Sequence, residues 1–162
     1  MTNDPQKKPV AQRALLDRAR RYCALSEHCE SGVRQKLVAW GATSDEMEPV
    51  VASLRADGYL DDRRYARAYA ESKLLHQHWS RQKVLYQLRS KHIDSDAIAE
   101  AMTVVPDETY LQILADEAAK KLRSLGGSLT PDSRRRLEAF LASRGYTLSE
   151  INHVFTNNNI EQ

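Results

Sequence analysis

Residues that break helices or cross-link chains are scarce in this sequence of 162 residues. It has six glycines, five prolines and two cysteines. Two cysteines cannot form the disulfide framework that holds small secreted domains together, and Cys23 falls on an apolar helical face, which favours a buried thiol. Cys29 and the adjacent His28 do not combine with any later histidine at a zinc-ligand spacing. We therefore expect no metal site and no cofactor.

Long apolar runs are also missing. No stretch approaches the roughly 20 consecutive apolar residues of a membrane helix, so we expect no membrane partner. Residues 1–10 are polar and contain Pro5 and Pro9, without the apolar core of a signal peptide. We interpret them as a flexible tail on a cytoplasmic protein.

Sequence motifs of catalysis are absent as well. There is no Gly-rich phosphate loop, no nucleophile elbow and no helical His-Glu zinc motif. Asp61 and Asp62 form a carboxylate pair, but adjacent residues on a helix point in different directions. Helix capping therefore explains this pair better than acid–base chemistry does. We expect no catalytic residues and no enzymatic activity.

What the sequence does contain is helical periodicity, arranged as three groups of three helices. The junctions between the second and third helices of the groups can be overlaid without gaps. This repetition predicts an all-α fold of three tandem three-helix repeats, in which neighbours help to bury each other's faces. The predicted segments are a tail (1–10), repeats at 11–58, 59–105 and 106–156, and a frayed end (157–162). The overlaid positions are Leu37, Leu88 and Leu141; Gly41, His92 and Gly145; Thr43, Asp94 and Thr147; Met47, Ile98 and Ile151; and Val51, Met102 and Phe155.

The joint between the first two repeats is the segment GYLDDRRYA at residues 58–66. Gly58 can end a helix because it adopts the left-handed conformation without a Cβ clash. Asp61 or Asp62 can then cap the next helix, whose apolar face begins with Tyr65. We interpret the joint as structural.

Charge is distributed in blocks, although the net charge is only +2. Basic side chains fall mainly on the first two helices of a repeat, and acidic ones begin the third helix. This pattern argues against a helix-turn-helix, because an acidic third helix would repel phosphates in the major groove. Charge runs are usually solvated faces; the alternative is an extended striped surface for a repeating, charged partner. Basic blocks span residues 1–43, 58–93 and 118–146, and acidic blocks span 44–57, 94–117 and 147–162.

Basic residues of the second and third repeats are our candidates for contact with such a partner. Trp79 lies just before the predicted Ser80 cap, where it either staples the helix entry or stacks on a base. The basic candidates are Arg63, Arg64, Arg67, Arg81, Lys83, Arg89, Lys91, Arg134, Arg135 and Arg136.

The segment at residues 58–66 resembles the GYLDD-x-R-[FY]-A segment of the RecX family. The stretch from Arg13 to Leu37 is similar to the first repeat of that family, and the stretch from Arg136 to Phe155 is similar to its third. The second repeat differs, because His78-Trp79 and Lys91-His92-Ile93 stand where the family usually has a glycine and Lys-Gly-Ile. The resemblance covers about residues 11–156. The motif residues expected to be structural are Gly58, Tyr59, Leu60, Asp61, Asp62, Tyr65 and Ala66.

The resemblance implies a non-enzymatic regulator of the RecA recombinase, acting in DNA repair, DNA recombination and the SOS response. It implies an elongated, curved, monomeric array that binds RecA nucleoprotein filaments in their helical groove. Such binding would inhibit the recombinase, ATPase and coprotease activities of RecA. Weak binding to single- or double-stranded DNA is also expected. The alternative function is direct DNA binding through the basic faces of the first two helices of each repeat.

Overall fold

The computed structural model describes residues 7–157, and side-chain positions from residue 11 onward. This part of the chain consists of helices joined by short turns. None of these helices is both long enough and apolar enough to cross a membrane. The helices are α1 (Lys7–Leu25), α2 (Glu30–Ala39), α3 (Ser44–Ala56), α4 (Asp62–Glu71), a π-helical turn (Ser72–His76), α5 (Arg81–Ser90), α6 (Ser95–Met102), α7 (Asp107–Ser124), α8 (Pro131–Ser143) and α9 (Leu148–Asn157). We name α1–α3 the first unit, α4–α6 the second unit and α7–α9 the third unit.

The same turn ends the second helix of every unit, as the sequence overlay predicts. Its residue with positive φ is Gly41 at 87°, His92 at 59° and Gly145 at 91°. The amide of the following residue donates a hydrogen bond to the carbonyl of a fully buried leucine five residues earlier. This bond provides a partner for one of the carbonyls at the C-terminal end of the helix. These bonds join Ala42 to Leu37 at 3.0 Å, Ile93 to Leu88 at 3.2 Å and Tyr146 to Leu141 at 3.2 Å. The all-α fold of three three-helix units is confirmed.

Both chain ends differ in part from the expectation. Helix α1 begins at Lys7, so residues 7–10 of the predicted tail are helical. Pro9 is compatible with this because it lies in the first turn, where its missing amide hydrogen would have no partner within the helix. Helix α9 extends through Asn157. The rest of the predicted tail (1–6) and of the predicted frayed end (158–162) lies outside the described residues.

The helix α4 continues into a π-helical turn instead of a regular α-helical one. The chain then passes through His78, which has a φ of 52°. This strained residue is held because its imidazole Nδ1 lies 2.8 Å from a carboxylate oxygen of Glu117. The amide of Trp79 donates to the carbonyl of Lys73 at 3.0 Å, and the ammonium of Lys73 lies 4.7 Å from the centre of the indole ring. Isolated π turns of this kind are frequent at functional sites.

Two separate apolar cores are present among the described residues. The first unit has its own core, in which Val33, Leu37 and Leu54 are almost completely buried. The second and third units share one continuous core, which includes Leu88 and Leu141. Burial of apolar surface between neighbouring units, which the sequence predicts for the whole array, is therefore extensive between the second and third units and small between the first and second.

The junction between the first and second units is mainly polar. The amide of Glu30 donates to the Asp62 carboxylate at 2.8 Å, and the Ser31 hydroxyl donates to the Lys91 carbonyl at 2.6 Å. Ser31 is of a residue type that often caps helices, but it lies inside the first turn of α2, because Cys29 takes the cap position. The Cys29 side chain joins the core of the second and third units.

The junction between the second and third units combines apolar packing with a buried charge. The Glu117 side chain is only 9% exposed, and Arg144 lies 3.3 Å from its second carboxylate oxygen. The hydroxyl of Tyr146 donates to the carbonyl of His78 at 2.9 Å. These contacts, together with the shared core, join the two units into one packed body.

Candidate functional site

Two candidate arginines of α4 are paired with an acidic side chain of the same unit. Nη1 of Arg63 lies 2.9 Å from one carboxylate oxygen of Glu100, and Nη1 of Arg67 lies 3.2 Å from the other. Glu100 is on α6, the acidic third helix. All three side chains remain at least 42% exposed, so each ion pair contributes little to stability, about 0–1 kcal/mol. The positive charge of α4 is therefore partly neutralised but accessible.

Arg64 belongs to the joint between the first two units. Its Nε donates to Glu27 at 2.6 Å and one Nη donates to the carbonyl of Gly58 at 3.1 Å. Asp61 caps α4 by accepting the amide of Arg64 at 3.0 Å. Asp62 instead reaches the start of α2 in the first unit, and burial raises the pKa of its carboxyl. The two carboxylates thus serve two different helix starts.

Arg81 has a structural position at the junction of the second and third units. Its Nη1 donates to Asp107 at 2.6 Å, its Nη2 donates to the carbonyl of Val105 at 2.7 Å, and its guanidinium lies 4.4 Å from the ring centre of Tyr110. The side chain is 26% exposed. Because Nη1 and Nη2 donate within the protein and Nε is buried, this guanidinium is poorly available to a partner.

Three lysines of the second unit lie next to aromatic rings. Lys83 is 4.0 Å and Lys73 is 4.7 Å from the ring centre of Trp79. Lys73 is also 5.4 Å, and Lys91 6.0 Å, from the ring centre of Tyr69. We call these five residues the aromatic–cation surface. Sequence reasoning missed Lys73 as a member, although its spacing from Tyr69 (i, i+4) was the available signal.

Helix α5 extends this surface with a side chain that the fold does not use for packing. Tyr86 is 70% exposed, and it lies three residues after Lys83 and three before Arg89, on the same helical face. Arg89 is exposed. Exposed aromatic rings between cations are typical of surfaces that bind single-stranded nucleic acid.

The candidate arginines of the third unit lie on α8 and pair within that helix. Arg134 is 3.1 Å from Glu138, and its guanidinium lies 4.5 Å from the ring centre of Phe155. Arg135 and Arg136 both approach Asp132, at 3.4 and 3.0 Å. They lie on a different unit from the aromatic–cation surface, so the candidates do not form one compact site.

No metal centre can be built from the residues that the structure describes. Within residues 7–157 there is no group of three or more His, Cys, Asp or Glu side chains close enough to hold an ion. Cys23 and Cys29 are both free and buried.

The geometry places this chain among proteins built from tandem three-helix units, and comparison with known proteins identifies the family. Residues 61–102 match the model described as RecX, second three-helix domain, and residues 108–155 match RecX, third three-helix domain. The chain belongs to the RecX family. The resemblance seen in the sequence is thereby confirmed.

Relatives and solved structures agree with this assignment. Regulatory protein RecX of Escherichia coli (strain K12) is 28% identical, over 97% of this chain and 98% of the relative. Regulatory protein RecX of Pelodictyon phaeoclathratiforme is 29% identical, over 82% of this chain and 81% of the relative. The crystal structure of RecX from Lactobacillus salivarius superposes with a TM-score of 0.80 at 15% identity, covering 90% of this chain and 94% of that one. A second crystal structure, of a regulatory protein RecX, also has a TM-score of 0.80, at 20% identity. Both structures support the fold.

Proposed function

We propose that this protein is a cytoplasmic, non-enzymatic regulator that binds RecA nucleoprotein filaments in their helical groove. Binding there inhibits the recombinase, ATPase and coprotease activities of RecA. Membership of the RecX family carries this proposal, since the relatives are named regulatory proteins. The tandem units add physical support, because a repeating array presents similar surfaces at regular intervals to a repeating partner.

The second unit is the part of the array that we assign to filament contact. It lies between two other units. Its aromatic–cation surface combines half-buried lysines with rings at which binding energy usually concentrates, and the neighbouring Tyr86 and Arg89 are exposed. Lys83 and Arg89 are suited to this role because neither pairs with a carboxylate within the described residues. Arg81 is excluded from our choice, because its two terminal nitrogens donate at the junction and its Nε is buried.

The test is a titration of the protein into RecA assembled on single-stranded DNA, with ATP turnover as the readout. The parent protein should lower turnover at or below stoichiometric amounts. The double variant Lys83→Glu, Arg89→Glu should raise the concentration needed by about tenfold or more, because reversed charges repel the site that they formerly attracted. The matched control, Lys120→Glu with Arg123→Glu, reverses two charges on α7 and should inhibit like the parent. Absence of inhibition by the parent over a wide titration would refute the proposal.

Direct DNA binding by the basic faces is the second candidate function. The observation in its favour is the alternation of rings and cations along the second unit. It predicts tight binding to DNA without RecA, with a steep dependence on salt concentration. Binding that is lost near physiological salt would reduce it to a supporting activity.

A further inference from the structure

A cleft of about 390 Å³ lies between the first and second units. Its volume falls in the range of sites for small ligands, ~300–1,000 Å³. The first unit contributes Tyr22, His28 and Lys36 to its lining, and the second unit contributes Tyr65 and Lys91. The cleft therefore has aromatic rings and a cation from each of the two units.

The rings of the cleft are arranged for stacking. Tyr22 stacks on His28 with ring centres 4.1 Å apart and 19° between planes. Tyr65 stacks on Tyr69, which continues the series toward the aromatic–cation surface. Burial lowers the pKa of His28 below its usual 6.5, so its ring is mainly neutral at pH 7. The rings are only partly buried, which leaves ring surface exposed to the cleft.

The lysine side chains that line the cleft give it a positive charge, whereas its one carboxylate is paired with an arginine. Lys36 is exposed, with its ammonium 5.5 Å from the ring centre of Tyr22. Lys91, which directly follows α5, also lines the cleft. Glu27 also lines the cleft, but its carboxylate is engaged by Nε of Arg64 at 2.6 Å. Two lysines thus remain to attract an anionic group.

A glycine on the cleft wall is not explained by protein packing. Gly32 lies within α2, where glycine weakens a helix relative to alanine. Its backbone does not have a positive φ, and a Cβ added there would meet only the sulfur of Cys29, at 3.4 Å. A side chain could therefore be accommodated by the protein itself. Without a side chain, Gly32 takes up little of the cleft that it lines.

We propose that this cleft binds a nucleobase together with its adjoining phosphate. The base stacks between the rings of the two units, and Lys36 and Lys91 contact the phosphate. Aromatic rings stack on any base, and lysine is a suitable point charge for a phosphate. The base comes either from a single-stranded nucleic acid or from a free nucleotide, and the two sources share the same chemistry.

Binding is measured without RecA, so the result is independent of the proposed function. The probes are a fluorescein-labelled oligothymidylate and free dTMP. In a Trp79→Phe background, the fluorescence of Trp40 reports binding in the cleft, because its ring centre is 5.7 Å from that of Tyr22. Gly32→Leu fills the cleft and should weaken binding about tenfold or more. Lys36→Gln should weaken binding and lower the salt slope by about 1. The controls are Ala52→Leu, on the exposed face of α3, and Arg123→Gln, on α7; both should bind like the parent, and thermal melting verifies that all variants fold.

Photocrosslinking locates the base directly. An oligonucleotide carrying 5-bromodeoxyuridine should crosslink to Tyr22, His28 or Tyr65. Cleft-dependent binding of dTMP would identify a free nucleotide as a sufficient ligand, whereas cleft-dependent binding of the oligonucleotide alone would identify a strand. The proposal is overturned if the parent binds neither probe, if both cleft variants bind like the parent, or if crosslinks form only outside the cleft. Loss of RecA inhibition in Gly32→Leu without nucleotide binding by the parent would indicate a protein contact and would also overturn it.

Discussion

The turn that ends the second helix of each unit provides a threefold internal comparison. Gly41 and Gly145 have nearly the same φ, 87° and 91°, but different surroundings. A Cβ at Gly41 would meet nothing within 4 Å, whereas a Cβ at Gly145 would lie 2.5 Å from the hydroxyl oxygen of Ser80. Ser80 is fully buried, and its hydroxyl caps α5 by accepting the amide of Lys83 at 3.1 Å.

The expected costs follow from these two environments. Gly41→Ala introduces only the backbone strain of an L-residue at positive φ, about 1–2 kcal/mol. Gly145→Ala adds displacement of the Ser80 cap, worth about 1 kcal/mol, and overpacking worth about 1–3 kcal/mol. We therefore expect Gly145→Ala to destabilise by roughly 3–6 kcal/mol. His92→Gly should stabilise by about 1 kcal/mol, because glycine removes the strain that histidine now has at a φ of 59°.

Urea unfolding followed by tryptophan fluorescence measures these differences. Trp40 reports on the first unit in a Trp79→Phe background, and Trp79 reports on the second and third units in a Trp40→Phe background. The reasoning is refuted if Gly145→Ala costs no more than Gly41→Ala, because the predicted excess arises only from the contact with Ser80. A destabilised His92→Gly would show that the imidazole contributes more than its backbone strain costs.

Three further predictions concern the cores and the ion pairs. Leu37→Ala and Leu141→Ala each remove a fully buried side chain and should lower the free energy of unfolding by about 3 kcal/mol. Because the cores are separate, Leu37→Ala should affect only the unfolding transition reported by Trp40, and Leu141→Ala only the one reported by Trp79. Burial tends to raise the pKa of Glu30, but hydrogen bonds from two arginines outweigh it and hold the pKa below 4.5. The stability that this lowered pKa provides is present above pH 4.5 and is lost as the pH falls through the lowered value. In urea unfolding from pH 7 to 3, Glu30→Gln should therefore lose less stability than the parent. Glu100→Gln should release the two arginines of α4 and lower the concentration needed for inhibition of RecA ATP turnover, with a stability change of at most about 1 kcal/mol.

Each of these predictions has a distinct contrary result. Parallel loss of both tryptophan transitions in Leu37→Ala would mean that the first unit does not unfold separately. An unchanged acid transition in Glu30→Gln would mean that its ion pairs contribute nothing to folding. Unchanged or weaker inhibition by Glu100→Gln would remove α4 from the proposed contact surface, and Glu138→Gln on α8 provides the matched control for loss of one carboxylate.

Local sequence signals predicted the repeated turn correctly. Glycine or a strained histidine at positions 41, 92 and 145 follows a buried leucine at a fixed distance in the sequence. The positive φ and the leucine both lie within about one helical turn, so neighbouring residues alone indicate the turn. Thr43 and Asp94, which correspond in the sequence overlay, both take the N-cap position of a third helix, because a cap depends only on its neighbours in sequence. The start of α2 does not follow these local signals, because Cys29, not a usual cap residue, takes the cap position while Ser31 donates to the Lys91 carbonyl of the second unit.

The candidate site was predicted less completely. The sequence supplied the arginines and lysines of the second unit as equivalent candidates. The structure separates them, since Arg81 donates to Asp107 at the junction whereas Lys83 lies 4.0 Å from the ring centre of the partly buried Trp79. Lys73 was not selected, although Tyr69 lies only four residues before it. The cleft residues of the first unit were not selected, because their role depends on Tyr65 and Lys91, which lie far away in the chain.

By itself, the sequence determined the helical class, the three-unit repetition, the turns and the family. These depend on periodicity, on capping and on positive φ, which act over a few residues. Only the tertiary structure decided that the second and third units share a core while the first has its own, and that Glu100 pairs with α4. It alone decided that a cleft with an open glycine wall lies at the polar junction. Such features depend on how whole units pack, and no local pattern in the chain specifies which faces meet.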